Sequence, residues 1–208
     1  MREGAFDRFA WIYDPIMKLM RRNRSLRKRI ESSAGFNAAV SVLDVGGGTG
    51  LLIDSLADKV KEITILDPSR KMLSKNKNPK IKKIQGIVQK MPFRDEKFDI
   101  ILCVDSFHHF TNGSQKRQWQ ETITNSLKEL KRVLKRDGTL IIVEFDPLRL
   151  ETKAIRFFEN KILGLGSFFL KENDLREKLQ ENGFSSETRM MNRYTYLVKS
   201  KKSPSLHE

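Results

Sequence analysis

The most restrictive feature of this sequence is a short apolar strand that ends in an acid and runs directly into a glycine-rich turn. The strand is predicted over 41–45, the turn over 46–50, and a helical segment over 51–56. Glycines at a strand-to-helix turn permit backbone angles that other residues avoid, and they let a ligand approach the main chain closely. The turn therefore predicts an α/β fold with a ligand site at the carboxyl edge of a parallel sheet.

The spacing of the glycines excludes two common ligand classes. Gly46, Gly48 and Gly50 form a G-x-G-x-G pattern, whereas a dinucleotide fingerprint has its last glycine one position later, where this chain has Leu51. A phosphate-binding P-loop is excluded because no Gly-Lys-Ser/Thr follows the turn. The remaining interpretations are another ligand, or a glycine turn without one.

A carboxylate about 20 residues after the turn narrows the ligand further. Asp67 ends the strand predicted over 62–66, a position from which a carboxylate can accept both hydroxyl protons of a ribose. The alternative is that Asp67 only caps the helix that follows Pro68 and Ser69. The turn and Asp67 together indicate a nucleoside without a pyrophosphate.

Short β-rich runs alternate with helical segments from residue 40 onward, which is typical of a parallel sheet with crossover helices. Near-continuous apolar runs indicate central strands. The predicted strands are 41–45, 62–66, 81–85, 98–104 and 139–145, and the predicted helices are 114–134, with Asp137-Gly138 as its stop signal, and 172–182.

The carboxyl-terminal part of the chain predicts an antiparallel hairpin over 184–190 and 193–199, with 193–199 at the edge of the sheet. The length of 208 residues suits one domain. Within it we expect a helical flap over 1–36, a substrate lid over 147–171 and a disordered tail over 200–208.

Charge and composition bear on partners and compartment. The net charge of +14 would attract nucleic acid, anionic lipid or acidic partners, although basic runs such as 21–29 and 75–83 are most often solvated faces. The chain starts without a secretory signal and has no apolar run of membrane-spanning length, so we expect a cytoplasmic protein, potentially associated with a membrane surface. Its one cysteine, Cys103, suits a packed apolar position rather than a disulfide.

The order of these motifs resembles the class I S-adenosylmethionine-dependent methyltransferases, and most closely their ubiquinone/menaquinone biosynthesis C-methyltransferase-like branch, methyltransferase type 11. The resemblance implies a Rossmann-like, mostly parallel seven-stranded sheet with an antiparallel hairpin. The phrases that carry it are 42–50, 66–69 with Met72-Leu73, 91–93 with Phe98-Asp99, 130–135 before Gly138, and 6–10 with Tyr13-Asp14.

The resemblance also implies S-adenosyl-L-methionine as the cofactor and a set of residues around it. Asp67 would bind the ribose, Met72 would pack on the adenine, and Tyr13 would close the site. One departure is Ile87, because relatives usually carry an acid there for the adenine amino group; Gln89 or backbone groups would then serve. The implied cofactor residues are Tyr13, Asp44, Gly46, Gly48, Gly50, Asp67, Pro68, Met72, Val88, Gln89 and Val104.

Methyl transfer from a sulfonium is an in-line displacement, in which the enzyme mainly aligns the acceptor atom with the methyl carbon. A carbon or hydroxyl acceptor must also lose a proton, and the titratable groups at the end of the fourth strand are His108, His109 and Asp105. We predict His108 and Asp105 as catalytic. Alternatives for His108 are shaping the acceptor pocket, a structural role or a metal site with Asp105 or Asp146; we predict no metal.

The segment 147–171 indicates the acceptor class, because it mixes aromatic and aliphatic residues with lysine and arginine. Such a mixture suits a helix in an anionic membrane interface, although a lid that simply packs on the core is equally compatible. The leading hypothesis is a small or lipid-like acceptor, such as a quinone precursor or a phospholipid head group. The alternatives are a methyltransferase acting on RNA or protein and a catalytically weak cofactor-binding module.

Overall fold

The computed structural model describes Asp7, residues 22–111 and residues 115–204. These residues form a sheet with helices on both faces. The strands are β1 Ser41–Val45, β2 Glu62–Asp67, β3 Ile81–Gln85, β4 Phe98–Val104, β5 Leu134–Phe145, β6 Phe184–Met190 and β7 Thr195–Lys202. The α-helices are α1 Arg22–Ala34, α2 Arg70–Lys75, α3 Trp119–Val133, α4 Leu150–Phe157 and α5 Glu172–Glu181, with a π-helical turn over Phe158–Ile162.

The sheet has seven strands in the order β3-β2-β1-β4-β5-β7-β6. The first five strands are parallel, and β7 runs antiparallel to both β5 and β6. From β1 the sheet grows through β2 and β3 on one side and through β4 and β5 on the other, so the carboxyl ends of the parallel neighbours β1 and β4 frame a crevice. The predicted fold is confirmed, including the antiparallel hairpin.

The order of the two hairpin strands in the sheet differs from the predicted order. β7 pairs with β5 on one side and with β6 on the other, so the edge strand is β6 and the prediction of an edge at 193–199 is wrong. The polar residues after Lys199 concealed that β7 continues. Ser200 is buried and pairs with Leu140, and β7 runs to Lys202. The predicted disordered tail is therefore wrong for 200–202, whereas 205–208 lie outside the described residues.

Two predicted helices also have different bounds. α3 ends at Val133 because Leu134 is already extended, and β5 begins there with a register irregularity opposite β4. Asp137-Gly138 therefore lies within a strand rather than stopping a helix. After the glycine turn, only Asp54–Leu56 form a short 3-10 helix, where the sequence predicted a longer helical segment.

The hydrophobic core has two layers, one on each face of the sheet. α3 and α5 cover one face with residues such as Leu127, Leu130 and Leu175. α1 covers the other face through Leu26 and Ile30. This part of the predicted amino-terminal flap is thus packed on the core, and Cys103 is buried as predicted. In the part of the chain that is described, no helix is long and apolar enough to cross a membrane.

Candidate functional site

The glycine turn lies where the sequence predicted it, between β1 and the 3-10 helix. Gly46, Gly48 and Gly50 all have positive φ, at 71°, 56° and 72°. A side chain at Gly46 would collide with Ser106, since its Cβ would stand 2.6 Å from that residue's Cβ. A Cβ at Gly48 would face Met72 Cε at 3.2 Å. Glycine is thus required both for the backbone conformation and for close approach.

Asp67 is fixed beside this turn at the end of β2. Its Oδ2 accepts from the Gly48 amide at 3.0 Å, and its Oδ1 accepts from the Ser69 amide at 2.8 Å. Ser69 in turn caps α2 by accepting from the Met72 amide at 3.1 Å. The residue that caps α2 is therefore Ser69 and not Asp67. Asp67 connects the residue before α2 to the glycine turn through its two carboxylate oxygens.

Burial makes the acids at this end of the sheet reluctant to ionise. Burial raises the pKa of Asp67 to about 6, although the amides of Ser69 and Gly48 oppose the rise. Burial and the neighbouring Asp67 raise the pKa of Asp44 to about 7. A group that donates hydrogen bonds to these carboxylates would relieve part of that cost, which is what the two hydroxyls of a ribose offer.

Of the three residues predicted around the adenine, Met72 and Val88 lie in apolar, buried positions, whereas the side chain of Gln89 is hydrogen-bonded elsewhere. Met72 and Val88 are buried, and a Cβ at Gly48 would lie between Met72 and Asp67. The Gln89 amide nitrogen instead donates to the Phe110 carbonyl at 2.8 Å and to Ser126 at 3.0 Å. Gln89 therefore ties two core elements together, and its predicted contact with adenine stays a prediction.

Tyr13 lies outside the described residues, so its predicted closure of the site stays a prediction as well. One residue of that segment, Asp7, is described and accepts a short hydrogen bond from the Ser69 hydroxyl. Pro68 contributes its carbonyl, which accepts from Gln85 Nε2 at 3.3 Å.

The end of β4 lies next to the glycine turn. The Ser106 hydroxyl donates to the Val45 carbonyl at 2.7 Å, which joins the ends of β4 and β1. Asp105 has a φ of 51°, an uncommon conformation for a non-glycine residue and one that recurs at functional sites. Val104 and Asp105 are half-buried here, so the structure brings both predicted residues to the carboxyl edge of the sheet.

His108 is buried at this edge and is paired with the end of β5. Its Nδ1 lies 2.7 Å from Glu144 Oε2, and its backbone amide donates to Glu144 Oε1. Burial lowers the pKa of His108, but the carboxylates of Glu144 and Glu159 outweigh that effect and raise it to about 10. In this arrangement the ring carries a proton at neutral pH and can donate a hydrogen bond, whereas accepting a proton is disfavoured.

The segment 147–171, whose role as a substrate lid stays a prediction and which is called the lid below, completes the surroundings of His108. Phe169 stacks on its ring at 4.3 Å, and Glu159 Oε2 lies 3.7 Å from its Nε2. The neighbouring His109 is buried beside it, with Nδ1 3.1 Å from the Ser167 hydroxyl. Burial and His108 lower the pKa of His109. The sequence did not single out Glu159 or Ser167, and the signal it offers is one acid within an apolar, aromatic stretch.

The outer surface of the lid is apolar and basic. Most of the large hydrophobic side chains exposed on the described residues lie here, with Met190 the one located elsewhere. They are Leu148, Leu150, Phe157, Phe158 and Ile162. Lys153, Arg156 and Lys161 are exposed among them. The inner surface of this segment therefore belongs to a buried polar cluster, and its outer surface is an exposed apolar and basic face.

Comparisons with known proteins agree with this geometry. A family model described as "Methyltransferase domain" matches residues 43–142. The demethylmenaquinone methyltransferase of Thermotoga maritima is 33% identical over 172 residues, covering 80% of this chain and 67% of that protein. The ubiquinone/menaquinone biosynthesis C-methyltransferase UbiE of Paraburkholderia phymatum is 28% identical, covering 86% of this chain and 75% of that protein. The chain belongs to the class I S-adenosylmethionine-dependent methyltransferases.

The structural comparison gives the same fold. A Haloferax volcanii methyltransferase, solved in complex with the Trm112 methyltransferase activator, superposes with a TM-score of 0.77 at 16% identity, covering 99% of both chains. The matched part of this chain spans 40% of the length of one relative, the uncharacterized methyltransferase YcgJ of Bacillus subtilis. It spans 75% of the length of the UbiE protein of Paraburkholderia phymatum. The predicted family, cofactor and enzyme class are confirmed.

The residues present fit S-adenosylmethionine. The cradle at Gly48, which a Cβ would fill, opens between Met72 and Asp67. Asp67 is a buried carboxylate next to this cradle, and the absence of a side chain at Gly46 lets the ends of β1 and β4 approach each other. The turn thus suits a cofactor that contains a nucleoside, and the predicted contact of Asp67 with the ribose stays a prediction.

Proposed function

We propose that this enzyme methylates a lipid-like acceptor of the quinone-precursor type, taken from an anionic membrane surface. The observation that carries the proposal is the two-sided lid: its inner surface covers His108 and its outer surface exposes apolar and basic residues. The names of the relatives support the acceptor class, because two of them act on ubiquinone or menaquinone precursors by name. A phospholipid head group is the other lipid-like acceptor compatible with this lid.

The cofactor end of the site would hold the methyl donor in place. When bound, S-adenosylmethionine supplies a methyl group on a sulfonium, and the sulfur leaves with the electron pair of the broken C–S bond. Asp67 would hold the ribose, Met72 and Val88 the adenine, and the main chain of Gly46 and Gly48 the methionine end. Asp44 beneath the turn and Val104 at the end of β4 would line the same pocket.

The acceptor end would hold an oxygen next to the reacting atom. His108, kept protonated by Glu144 and Glu159, would donate a hydrogen bond to that oxygen and favour its anionic form. This places His108 in a binding role rather than as the base that the sequence predicted. Asp105, at the strained end of β4, would accept the proton that the acceptor carbon releases when the new C–C bond forms.

The lid would bring the enzyme to its acceptor. Leu150 is 73% exposed, and Phe157 and Ile162 are each 62% exposed, so water contacts most of three large apolar side chains. Basic residues among them add attraction to anionic lipid of about 1 kcal/mol each near a membrane surface. Together these features describe a segment that lies in the interface of a membrane.

The test is a methyl-transfer screen with a labelled donor against lipid, RNA and protein extracts, followed by a demethylated isoprenoid hydroquinone presented in vesicles. We expect label in the lipid extract and on the hydroquinone, with faster transfer from phosphatidylglycerol-containing vesicles than from phosphatidylcholine vesicles. Label that appears only in RNA or protein would overturn the proposal. Binding of cofactor without label in any extract would support the weak binding module instead.

A further inference from the structure

His108, His109 and Glu159 form a compact cluster at the acceptor end of the site. One side-chain donor atom from each residue lies within 4.8 Å of the other two. We propose that this cluster binds a divalent metal ion of the Zn²⁺ class through His108 Nε2, a ring nitrogen of His109 and the Glu159 carboxylate. Binding of the ion is independent of the proposed function; only its use in methyl transfer rests on that function.

Two buried atoms of this cluster lack hydrogen-bond partners. His108 Nε2 and Glu159 Oε2 are both buried and face each other as an ion pair, but at 3.7 Å they are too far apart for a hydrogen bond, and neither has another hydrogen-bond partner. Buried polar atoms in native proteins nearly always have a partner. Two ligands about 2.0–2.1 Å from a tetrahedral ion stand roughly 3.4 Å apart. An ion between these atoms would therefore satisfy both with a shift of a few tenths of an ångström.

The rings are held as metal-binding histidines usually are. Glu144 Oε2 contacts His108 Nδ1 at 2.7 Å, so a proton on Nδ1 leaves the Nε2 lone pair facing the cluster. This carboxylate–histidine arrangement fixes the ring and increases its basicity as a ligand. Ser167 lies against His109 Nδ1, and Phe169 stacks on His108.

The number of protein ligands indicates the kind of site. Structural zinc sites have four protein ligands, whereas catalytic sites have three and leave one position for water or substrate. An ion here would replace the proton on His108 Nε2 and keep a positive charge beside the acceptor oxygen. The sequence did not predict this set of three ligands. It indicated Asp105 or Asp146 as the carboxylate ligand beside the histidines, whereas in the structure that carboxylate is Glu159.

The first experiment measures binding without turnover. The full chain, stripped with a chelator and dialysed, is titrated with Co²⁺ by visible absorption and with Zn²⁺ by calorimetry. We expect one Co²⁺ per chain with the absorption of a four-coordinate site, displaced by one equivalent of Zn²⁺. Failure of the stripped chain to bind either ion at about 100 μM, well above the range expected for a three-ligand site, would overturn the proposal.

Variants locate the ion. Glu159→Gln removes a ligand and should abolish the Co²⁺ spectrum, while Glu144→Gln should weaken Zn²⁺ binding about 10- to 100-fold because it changes only the support of His108. His207→Gln, at the chain's third histidine, is the matched control and should leave binding unchanged. Circular dichroism checks that each variant folds. Loss of the spectrum in the control, with binding kept in Glu159→Gln, would place the ion elsewhere and overturn the assignment.

Activity separates the two proposals. If Zn²⁺ binds in the cluster and methyl transfer proceeds equally with and without it, the metal site stands and its catalytic use is rejected. If no acceptor is found and Co²⁺ still binds, the proposed function fails alone.

Discussion

The two ends of this active site are built from different kinds of sequence. The cofactor end comes from one strand, one turn and an acid about 20 residues later, all linked by main-chain contacts such as the Gly48 amide to Asp67. The proposed acceptor end joins side chains from the turn after β4, from β5 and from the lid, and its contacts are between side chains distant in sequence. Main-chain geometry thus shapes the predicted cofactor end, whereas side-chain packing shapes the proposed acceptor end.

The two ends also differ in how they treat charge. At the cofactor end, burial raises the pKa values of Asp44 and Asp67, and the two backbone amides that donate to Asp67 offset only part of that rise. At the acceptor end, the carboxylates of Glu144 and Glu159 surround one imidazole and hold its positive charge. The first end is prepared to receive hydrogen-bond donors, and the second to receive an anionic oxygen.

The largest expected effect is a loss of cofactor affinity that leaves the lid's binding to membranes unchanged. Asp67→Ala should lower the affinity for S-adenosylmethionine or its demethylated product about 100-fold, because two hydrogen bonds to a charged acceptor are lost. Binding to anionic vesicles should stay unchanged, since the lid is intact. Calorimetry measures the first quantity and co-sedimentation the second.

Asp58→Ala is the matched control for that experiment, because Asp58 is an exposed acid that pairs with Lys80 at the surface. It should bind the cofactor like the parent chain. Cofactor affinity of Asp67→Ala within about threefold of the parent, in a folded protein, would show that the ribose does not use this carboxylate.

A smaller effect is expected from the lid. The double substitution Leu150→Ser and Phe157→Ser should weaken binding to anionic vesicles about tenfold or more, because burying each large apolar side chain contributes about 1.5–3 kcal/mol when complete. Cofactor affinity should not change. The matched control is Met190→Ser, which removes an exposed apolar residue on β6 that is 44% exposed. Equal vesicle binding by both variants would assign the attraction to charge alone.

The smallest effect concerns pH. The folded-state pKa of Asp67, about 6, is above its value of about 3.9 in an unfolded chain, so this group stabilises the fold at low pH and the contribution is lost as pH rises through about 6. Relative to Asp67→Asn, the parent chain without cofactor should lose on the order of 1–2 kcal/mol between about pH 5 and pH 7.5. Urea unfolding at the two pH values measures this.

Cofactor affinity should move in the opposite direction in the same pH window. The ribose hydroxyls donate to the ionised carboxylate, so binding weakens as pH falls below about 6 and Asp67 takes up a proton. A parent chain whose stability relative to Asp67→Asn does not change with pH would mean that the carboxylate is already satisfied without the cofactor.

Most of the fold could be predicted because its determinants are local. β1, β2 and β4 follow largely apolar runs, and the glycine turn needs only neighbouring residues to define it. The hairpin was harder, because the second half of β7 sets the buried Ser200 among lysines, and a serine gives no hydropathy signal of its burial. The order of β6 and β7 depends on which strand pairs with β5, and hydropathy does not encode that choice.

The acceptor end could be predicted only in part, because it depends on contacts between residues that are far apart in the sequence. His108 was identified by its position after the fourth strand. Glu159 contacts His108 from about 50 residues away through the packing of the lid, which no spacing rule predicts. The pKa of His108 depends on Glu144 first and on Glu159 as well, so its protonation could not be predicted from the sequence.

The π-helical turn at Phe158–Ile162 gives the lid an unusual sensitivity to chain length. A π-turn closes its hydrogen bonds over five residues where an α-helix uses four, so it accommodates one additional residue with little rotation of the chain that follows. A one-residue deletion inside this turn would therefore restore regular winding and keep Ser167 and Phe169 beside the histidines. The same deletion after Ile162 would have no turn to absorb it and would displace both residues, with the glycine turn left intact.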